Sequence, residues 1–310
     1  MPAPRMVIML NENSTIPGGS DLRTLVRWAR EAEDAGFDGV MASEHIVMGP
    51  DAGVNGVMGN PRAYALPGNQ DVFNEWPNSM VLLGAISSVT SSLRLVASAV
   101  LAPLRHPLVL ARELGTLDLI SEGRLVVQPS VSWSRDEYAA LGVPFERRGS
   151  ILDEQLEVLR VAWGPSPLSY HGEHFDFHDV YFEPKASRPE GPRLWFGGQG
   201  VHPALMRRMA RYGHGFCPIW PPTDEDLAKL QGAMKAVDRD ISELEMIAFV
   251  QAEFADETSC ADLGQAMATI PEQLERGYTT FCIKPSQFVD DDAEVGAWCR
   301  EVMRRAEGAA

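Results

Sequence analysis

The 310 residues predict an α/β fold: a single closed (β/α)8 barrel of the TIM type, with a long loop after the second strand and a small hairpin after the fourth helix. Three observations carry this. Strand-like and helix-like stretches alternate eight times along the chain. Residues 93–133, LRLVASAVLAPLRHPLVLARELGTLDLISEGRLVVQPSVSW, make one complete strand–helix–strand unit. No shift in composition marks a linker, so residues 1–310 read as one domain. A doubly wound open sheet is the structural alternative; eight units are the number that closes a parallel ring.

Within the 93–133 unit, residues 93–101 are short, apolar, rich in small and β-branched side chains, and stopped by Pro103. That pattern is a buried strand. Pro107 opens a helix, where its missing N–H costs nothing. Leu108, Leu110, Ala111, Leu114, Leu117, Leu119 and Ile120 give that helix a broad apolar face. Gly123 ends it, and residues 124–131 form the next buried strand.

From the start of the chain, residues 6–10 are the first strand. Ser20 caps a helix to Ala35 that turns Leu22, Leu25, Val26, Ala29 and Ala32 inward, and Gly36 stops it. Residues 37–42 are the second strand and run into Ser43, Glu44 and His45. Residues 46–77 are crowded with Gly, Pro and Asn and lack periodicity; such a long loop in a compact domain is functional or mobile. Asn78 starts the second helix, and the fourth is broken into 134–141 and 149–163. Residues 165–184 carry aromatic side chains two or three apart and read as a hairpin outside the barrel. The remaining strands are 193–196, 216–220, 245–254 and 279–284, with helices at 203–212, after Thr223, at 259–276 and at 290–306. Acidic residues 224–226 suit the first turn of a helix.

A hydrophobic content of 45% supports a large core, and no stretch approaches the roughly 20 apolar residues of a membrane span. The N-terminus lacks a signal-peptide apolar region, so a cytoplasmic protein is expected. Cys217, Cys260, Cys282 and Cys299 are widely spaced and read as reduced, mostly buried thiols. A net charge of −16 argues against nucleic acid and anionic membranes as partners.

In a parallel barrel the chemistry sits where strands end. The candidates by position are Asn11 and Asn13, Glu44 and His45, residues 99–103, residues 128–133, residues 197–200, Trp220, Glu253 and Lys284. A histidine at such a rim can exchange a proton near neutral pH, or can simply be satisfied by a neighbour such as Glu44. Gly197-Gly198-Gln199-Gly200 before a helix suits a phosphate, or is a flexible turn. Ser130 and Ser132 alternate on the fourth strand and share one side. Trp133 can stack on a ring or cap the barrel. His171, His174 and His178 invite a metal, but 171 and 174 on a strand face opposite sides and no carboxylate pattern completes a site, so no metal is expected.

Taken together the motifs resemble the luciferase-like monooxygenase superfamily, in its deazaflavin-dependent oxidoreductase branch. The matching pieces are AGFDGVMASEHI (35–46), residues 91–125, DEYAALGVPFERRGSILDEQLEVLR (136–160), LSYHGEHFDF (168–177) and residues 192–216. The resemblance implies a flavin-type ring at the C-terminal mouth of the barrel. It implies catalytic roles for His45, as acid/base, and Glu44. It assigns the cofactor to Ala99, Val100, Ser130, Ser132, Trp133, Gly197, Gly198 and Gln199. The substrate falls to Asn11, Trp76 and Trp220, with residues 46–77 covering it. Relatives carry a non-prolyl cis peptide behind the ring, whose counterpart here is Ala99–Val100. One segment departs: many relatives have a glycine-rich fourth strand, and here it is Gln128-Pro129-Ser130-Val131-Ser132-Trp133. The expected activity is hydride transfer between coenzyme F420 and a small organic substrate. The alternatives are an FMN-dependent monooxygenase supplied by a reductase, and a barrel that only binds a ligand. Homodimerisation through outer helices is expected.

Overall fold

In the computed structural model, which describes residues 3–309, eight parallel strands close on themselves. They are β1 (Arg5–Met9), β2 (Gly39–Ala42), β3 (Arg94–Leu101), β4 (Leu125–Ser130), β7 (Arg193–Phe196), β8 (Gly215–Phe216), β9 (Glu245–Phe249) and β10 (Thr280–Ile283). β1 pairs with both β2 and β10, which closes the ring. Each strand is followed by a helical leg: α1 (Leu22–Ala35), α2 (Ser79–Ser87), α3 (Pro107–Ile120), α4 (Arg135–Ala140) with α5 (Arg148–Trp163), α6 (Pro203–Tyr212), α7 (Asp224–Lys235), α8 (Leu263–Met267) with α9 (Ile270–Glu275), and α10 (Val295–Glu307). β5 (Leu168–His171) and β6 (Asp176–Val180) form a separate antiparallel hairpin after α5.

Strand alternation divides the core in two. One side chain from each barrel strand or its end (Val7, Met41, Val96, Val126, Trp195, Cys217, Ile247, Cys282) packs in a cluster inside the ring. The alternate residues, such as Met6, Ile8, Val40 and Leu95, join the larger core under the helices. At the strand N-termini a polar plug closes the barrel floor. Glu245 takes Arg94 at 2.8 Å and Arg5 at 3.2 Å, and Thr280 Oγ1 donates to it. Burial alone would raise the Glu245 carboxyl, but Arg94, Thr280 and Arg5 outweigh it and hold it below its usual range.

Several boundaries move. Asp21, not Ser20, caps α1, accepting from Thr24 N at 2.8 Å. Leu22 is 51% exposed, while Trp28 is fully buried and bonds Asp292. Leu119 and Ile120 of α3 face outward. The 259–276 helix breaks into α8 and α9, with Pro271 at the start of the second piece. β8 has only two paired residues.

Residues 46–77 are not a free loop. Asn60 donates to Asp256 and Ser259 carbonyls, Arg62 reaches Thr258, Ser286 and Asp290, and Tyr64 reaches Val250. The segment is thereby fixed across the barrel mouth as a wall.

Candidate functional site

The strand C-termini and residues 46–77 enclose a cavity of about 340 Å³. Its walls combine apolar side chains (Met9, Met41, Leu66, Phe249, Phe254) with a few polar ones. Ten of the residues given a catalytic, cofactor or substrate role line it together: Glu44, His45, Trp76, Ala99, Ser130, Ser132, Trp133, Gly197, Gly198 and Trp220.

His45 follows β2 and stands between two indoles. Its ring lies 5.1 Å from Trp76 and 5.6 Å from Trp133, edge-on to both. Its Nδ1 is 3.2 Å from Oε2 of Glu137, whose carboxylate is fully buried. The other Glu137 oxygen accepts from Ile46 N at 2.6 Å, and Ser132 Oγ donates to Oε2 at 3.0 Å. Ser134 caps α4 and so fixes where Glu137 stands. With Nδ1 turned to the carboxylate, Nε2 is the ring nitrogen left for the cavity.

Glu137 went unnoticed in the sequence. It sits on a short helix beyond the fourth strand, and an acidic residue there reads as an N-terminal helix charge. The neighbour that meets His45 is Glu137 and not the adjacent Glu44. Glu44 is spent elsewhere: Arg105 grips it bidentately at 2.7 and 3.1 Å, Ser79 Oγ donates at 2.9 Å, and Leu101 N at 3.1 Å. Its carboxylate ties β2, α2 and the end of β3 together, a positioning task.

β3 bulges beside the cavity. Ser98 pairs with Gln128 and Val100 with Pro129, which leaves Ala99 out of register. The cis peptide is Ser98–Ala99, one residue earlier than the Ala99–Val100 expected, because the bulge falls on Ala99. Ala99 lines the cavity, while Val100 is fully buried and is not among the lining residues. Ser130 ends β4, and Ser132 lies beyond it at φ 56°, in the left-handed region. Ser132 N donates to Ser130 Oγ at 3.2 Å, so the two hydroxyls face the cavity through a turn rather than along a strand.

Gly197 is required by packing: a Cβ there would lie 1.7 Å from the Cys217 carbonyl oxygen. A Cβ at Gly198 would meet nothing within 4 Å, which leaves its backbone open beside the cavity. Gln199 is exposed and outside the lining. Asn11 also lies outside it; its Oδ1 accepts from Ser43 N at 2.7 Å and steadies the turn that carries His45. Asn13 is buried and accepts from Ser286 N at 3.1 Å. Glu253 is exposed and bonds Gln265.

Opposite this wall, Glu12 enters the cavity from the end of β1 with φ 61°. It lies 3.9 Å from the Lys284 ammonium, which is fully buried, donates to Ala63 O at 2.9 Å and sits over the Tyr64 ring. Burial pushes the Glu12 carboxyl up and the Lys284 ammonium down, and their mutual attraction only partly opposes this. The cavity thus holds a histidine beyond β2 and, beyond β1, a buried carboxyl pushed up by its burial.

A closed parallel barrel with a partly aromatic cavity and an oriented histidine at its C-terminal mouth is the arrangement of a TIM-barrel enzyme site. The sequence model of the luciferase-like monooxygenase family matches residues 5–276, and the chain belongs to that family, whose members are oxidoreductases. An uncharacterised protein of Mycobacterium tuberculosis is 38% identical over 165 residues, 52% of this chain and 57% of the relative. A pyrimidine monooxygenase of an Enterobacter species is 33% identical over 116 residues, 36% of this chain and 32% of the relative. The chain therefore spans little more than half the length of the first of these and a third of the second. Among solved structures, monooxygenase RslO1 of Streptomyces bottropensis superposes with TM-score 0.72 at 20% identity, covering 97% of this chain and 98% of that one. An F420-dependent secondary alcohol dehydrogenase superposes with TM-score 0.73 at 14% identity, covering 98% and 99%. At these identities the superpositions establish the fold. Among the described residues no helix is long and apolar enough to cross a membrane, and all four cysteines are free thiols.

Proposed function

We propose that this chain is a deazaflavin-dependent oxidoreductase that transfers hydride between coenzyme F420 and a small organic substrate, with His45 as the proton partner. The observation that carries this reading is the His45–Glu137 pair, set between Trp76 and Trp133 on the wall of an apolar cavity. The residues fit a planar heterocycle. The walls are mostly apolar, Trp76 Nε1 has no partner among the described residues, and the open backbone at Gly198 leaves room for a phosphate-bearing tail.

The residues that would hold the coenzyme are Ala99, Ser130, Ser132, Trp133, Gly197 and Gly198, with Gln199 at the rim. When bound, the coenzyme accepts or supplies the hydride. His45 takes up or returns, at Nε2, the proton that accompanies it. Glu137 accepts from Nδ1–H and so holds the imidazole with Nε2 toward the cavity. Trp76 and Trp133 exclude water from the ring. Trp76, Trp220 and residues 58–70 shape the substrate space, and their apolar character suits apolar or aromatic substrates. Glu44, through Arg105, positions the turn rather than touching substrate.

A second reading is an FMN-dependent monooxygenase whose reduced flavin comes from a separate reductase. It rests on Ser130 and Ser132, which stand where many relatives have glycines and put side chains on the approach to β4. A barrel that only binds its ligand is a third. Equilibrium binding to the purified protein separates them. Tight coenzyme F420 binding with hydride transfer supports the proposal; tight FMN binding without coenzyme F420 affinity rejects it. Binding without turnover of any redox substrate supports the third.

The same reading carries a homodimer through the outer helices and a cytoplasmic location. Val81 of α2 is 72% exposed, and Val109, Leu119 and Ile120 of α3 are exposed as well. Sedimentation of the purified chain tests the dimer. Four free thiols suit a reducing compartment.

A further inference from the structure

Outside the cavity, the β5–β6 hairpin gathers three potential metal ligands on one face. β5 and β6 are antiparallel, with His171 directly opposite Asp176 and Tyr170 opposite Phe177. Asp176 and His178 are two apart on β6 and so point the same way. The hairpin is thereby sided. Tyr170 stacks on Phe177 with centroids 6.1 Å apart and bonds Glu157 of α5, while His171, Asp176 and His178 face solvent. His174 takes no part; it lies at the turn, bonded to Ser150. The register across the turn, rather than spacing along one strand, brings 171 to 176 and 178.

The three donors are already close. Asp176 Oδ1 lies 3.0 Å from His178 Nε2, and Oδ2 lies 3.4 Å from His171 Nδ1. One ligand atom from each residue falls within 4.8 Å of the others, and the two imidazoles lie 4.2 Å apart. Ligands on a tetrahedral zinc at ordinary bond lengths stand about 3.4 Å apart, so closure needs only small side-chain movements. Two imidazoles and one carboxylate suit a borderline divalent transition ion, such as zinc, cobalt or nickel, rather than magnesium or calcium, which take oxygen ligands. The net charge of −16 adds a general attraction for cations.

We propose that His171 Nδ1, His178 Nε2 and an Asp176 carboxylate oxygen bind one divalent transition-metal ion. The ion cross-links β5 to β6 and leaves its remaining positions to water. None of the three residues lines the cavity, so the site is separate from the proposed redox chemistry.

The test uses the full-length, untagged, chelator-treated protein titrated with zinc chloride by calorimetry, and with cobalt chloride by visible absorption. The expected result is one zinc per chain at micromolar affinity or tighter, tetrahedral or five-coordinate cobalt bands, and no competition from millimolar magnesium. His171→Ala and His178→Ala should each weaken zinc at least tenfold while leaving the metal-free melting temperature unchanged, since both side chains are exposed. Absence of zinc binding at 100-fold excess would overturn the proposal. So would binding that the double variant retains, or that magnesium displaces. Coenzyme binding and turnover do not enter these readouts, so they stand apart from the test of the redox proposal.

Discussion

Oε2 of Glu137 lies 3.2 Å from Nδ1 of His45, although 92 positions separate the two in the chain. The carboxylate is fully buried and is shared with Ser132 Oγ and with the backbone N–H of Ile46. One group therefore fixes the imidazole and the turn that carries it. The site's geometry rests on this contact more than on the neighbouring Glu44.

His45→Ala should lower turnover by about 10²–10⁴, the usual contribution of a general acid or base. Single-turnover transfer with reduced or oxidised coenzyme measures it. A wild-type rate would remove His45 from the chemistry. Glu137→Gln keeps the shape but loses the charge. It should lower kcat by about 10–100-fold, the usual cost of losing the group that orients a histidine, with little change in KM and a displaced pH–rate profile. A purely structural role would leave the profile where it was.

Arg105→Ala should destabilise the fold by about 3–5 kcal/mol, because it strands the buried Glu44 carboxylate without its bidentate partner. Urea unfolding gives the figure. The double change with Glu44→Gln should recover part of the loss, since the uncompensated charge is then gone.

Gly197→Ala should cost at least about 1–3 kcal/mol, the usual penalty of overpacking, because the added carbon collides with the Cys217 carbonyl, which is backbone and cannot swing aside. The measurements are soluble yield, melting temperature and coenzyme affinity. An unchanged protein would mean that the β7 and β8 ends are farther apart than described.

Glu33 of α1 accepts the N–H groups of Ser91, Ser92 and Leu93 and the Ser92 hydroxyl, which anchors the entry to β3. Burial opposes its ionisation, but the four hydrogen bonds win and bring its carboxyl down to about 2. The folded value lies below the unfolded one, so the stabilisation is complete above about pH 4.5, near the unfolded carboxyl value, and disappears as pH falls toward 2. Glu33→Gln should therefore melt lower than wild type at pH 7. The gap should narrow through pH 4 to 2; a gap independent of pH would show that charge is not what anchors the segment.

Much of the fold was legible because burial dictates residue type at fixed periods. The apolar run at 93–101, Pro107 and the short apolar runs of β1 and β2 need no partner to be read. The strand-end rule then placed His45, Ser130, Gly197 and Gly198 around one mouth, and the cavity gathers them. The resemblance of the quoted motifs added the family. What stayed hidden depends on contacts that sequence spacing does not encode. The β3 bulge puts the cis peptide at Ser98–Ala99, and a left-handed Ser132 turns its hydroxyl onto Glu137.

The sequence alone determined that eight βα units alternate, which residues are apolar, and which polar side chains stand at the strand ends, because these follow from local periodicity and from the geometry of a closed parallel ring. Only the tertiary structure decided which carboxylate meets His45. Glu44 is adjacent in the chain, but Arg105 and Ser79 already satisfy its charge. Glu137 is distant, yet α4 packs against residues 45–53, just beyond β2, and brings it within hydrogen-bonding distance. A buried charge goes to the partners that best compensate its desolvation, and those are set by packing rather than by order along the chain.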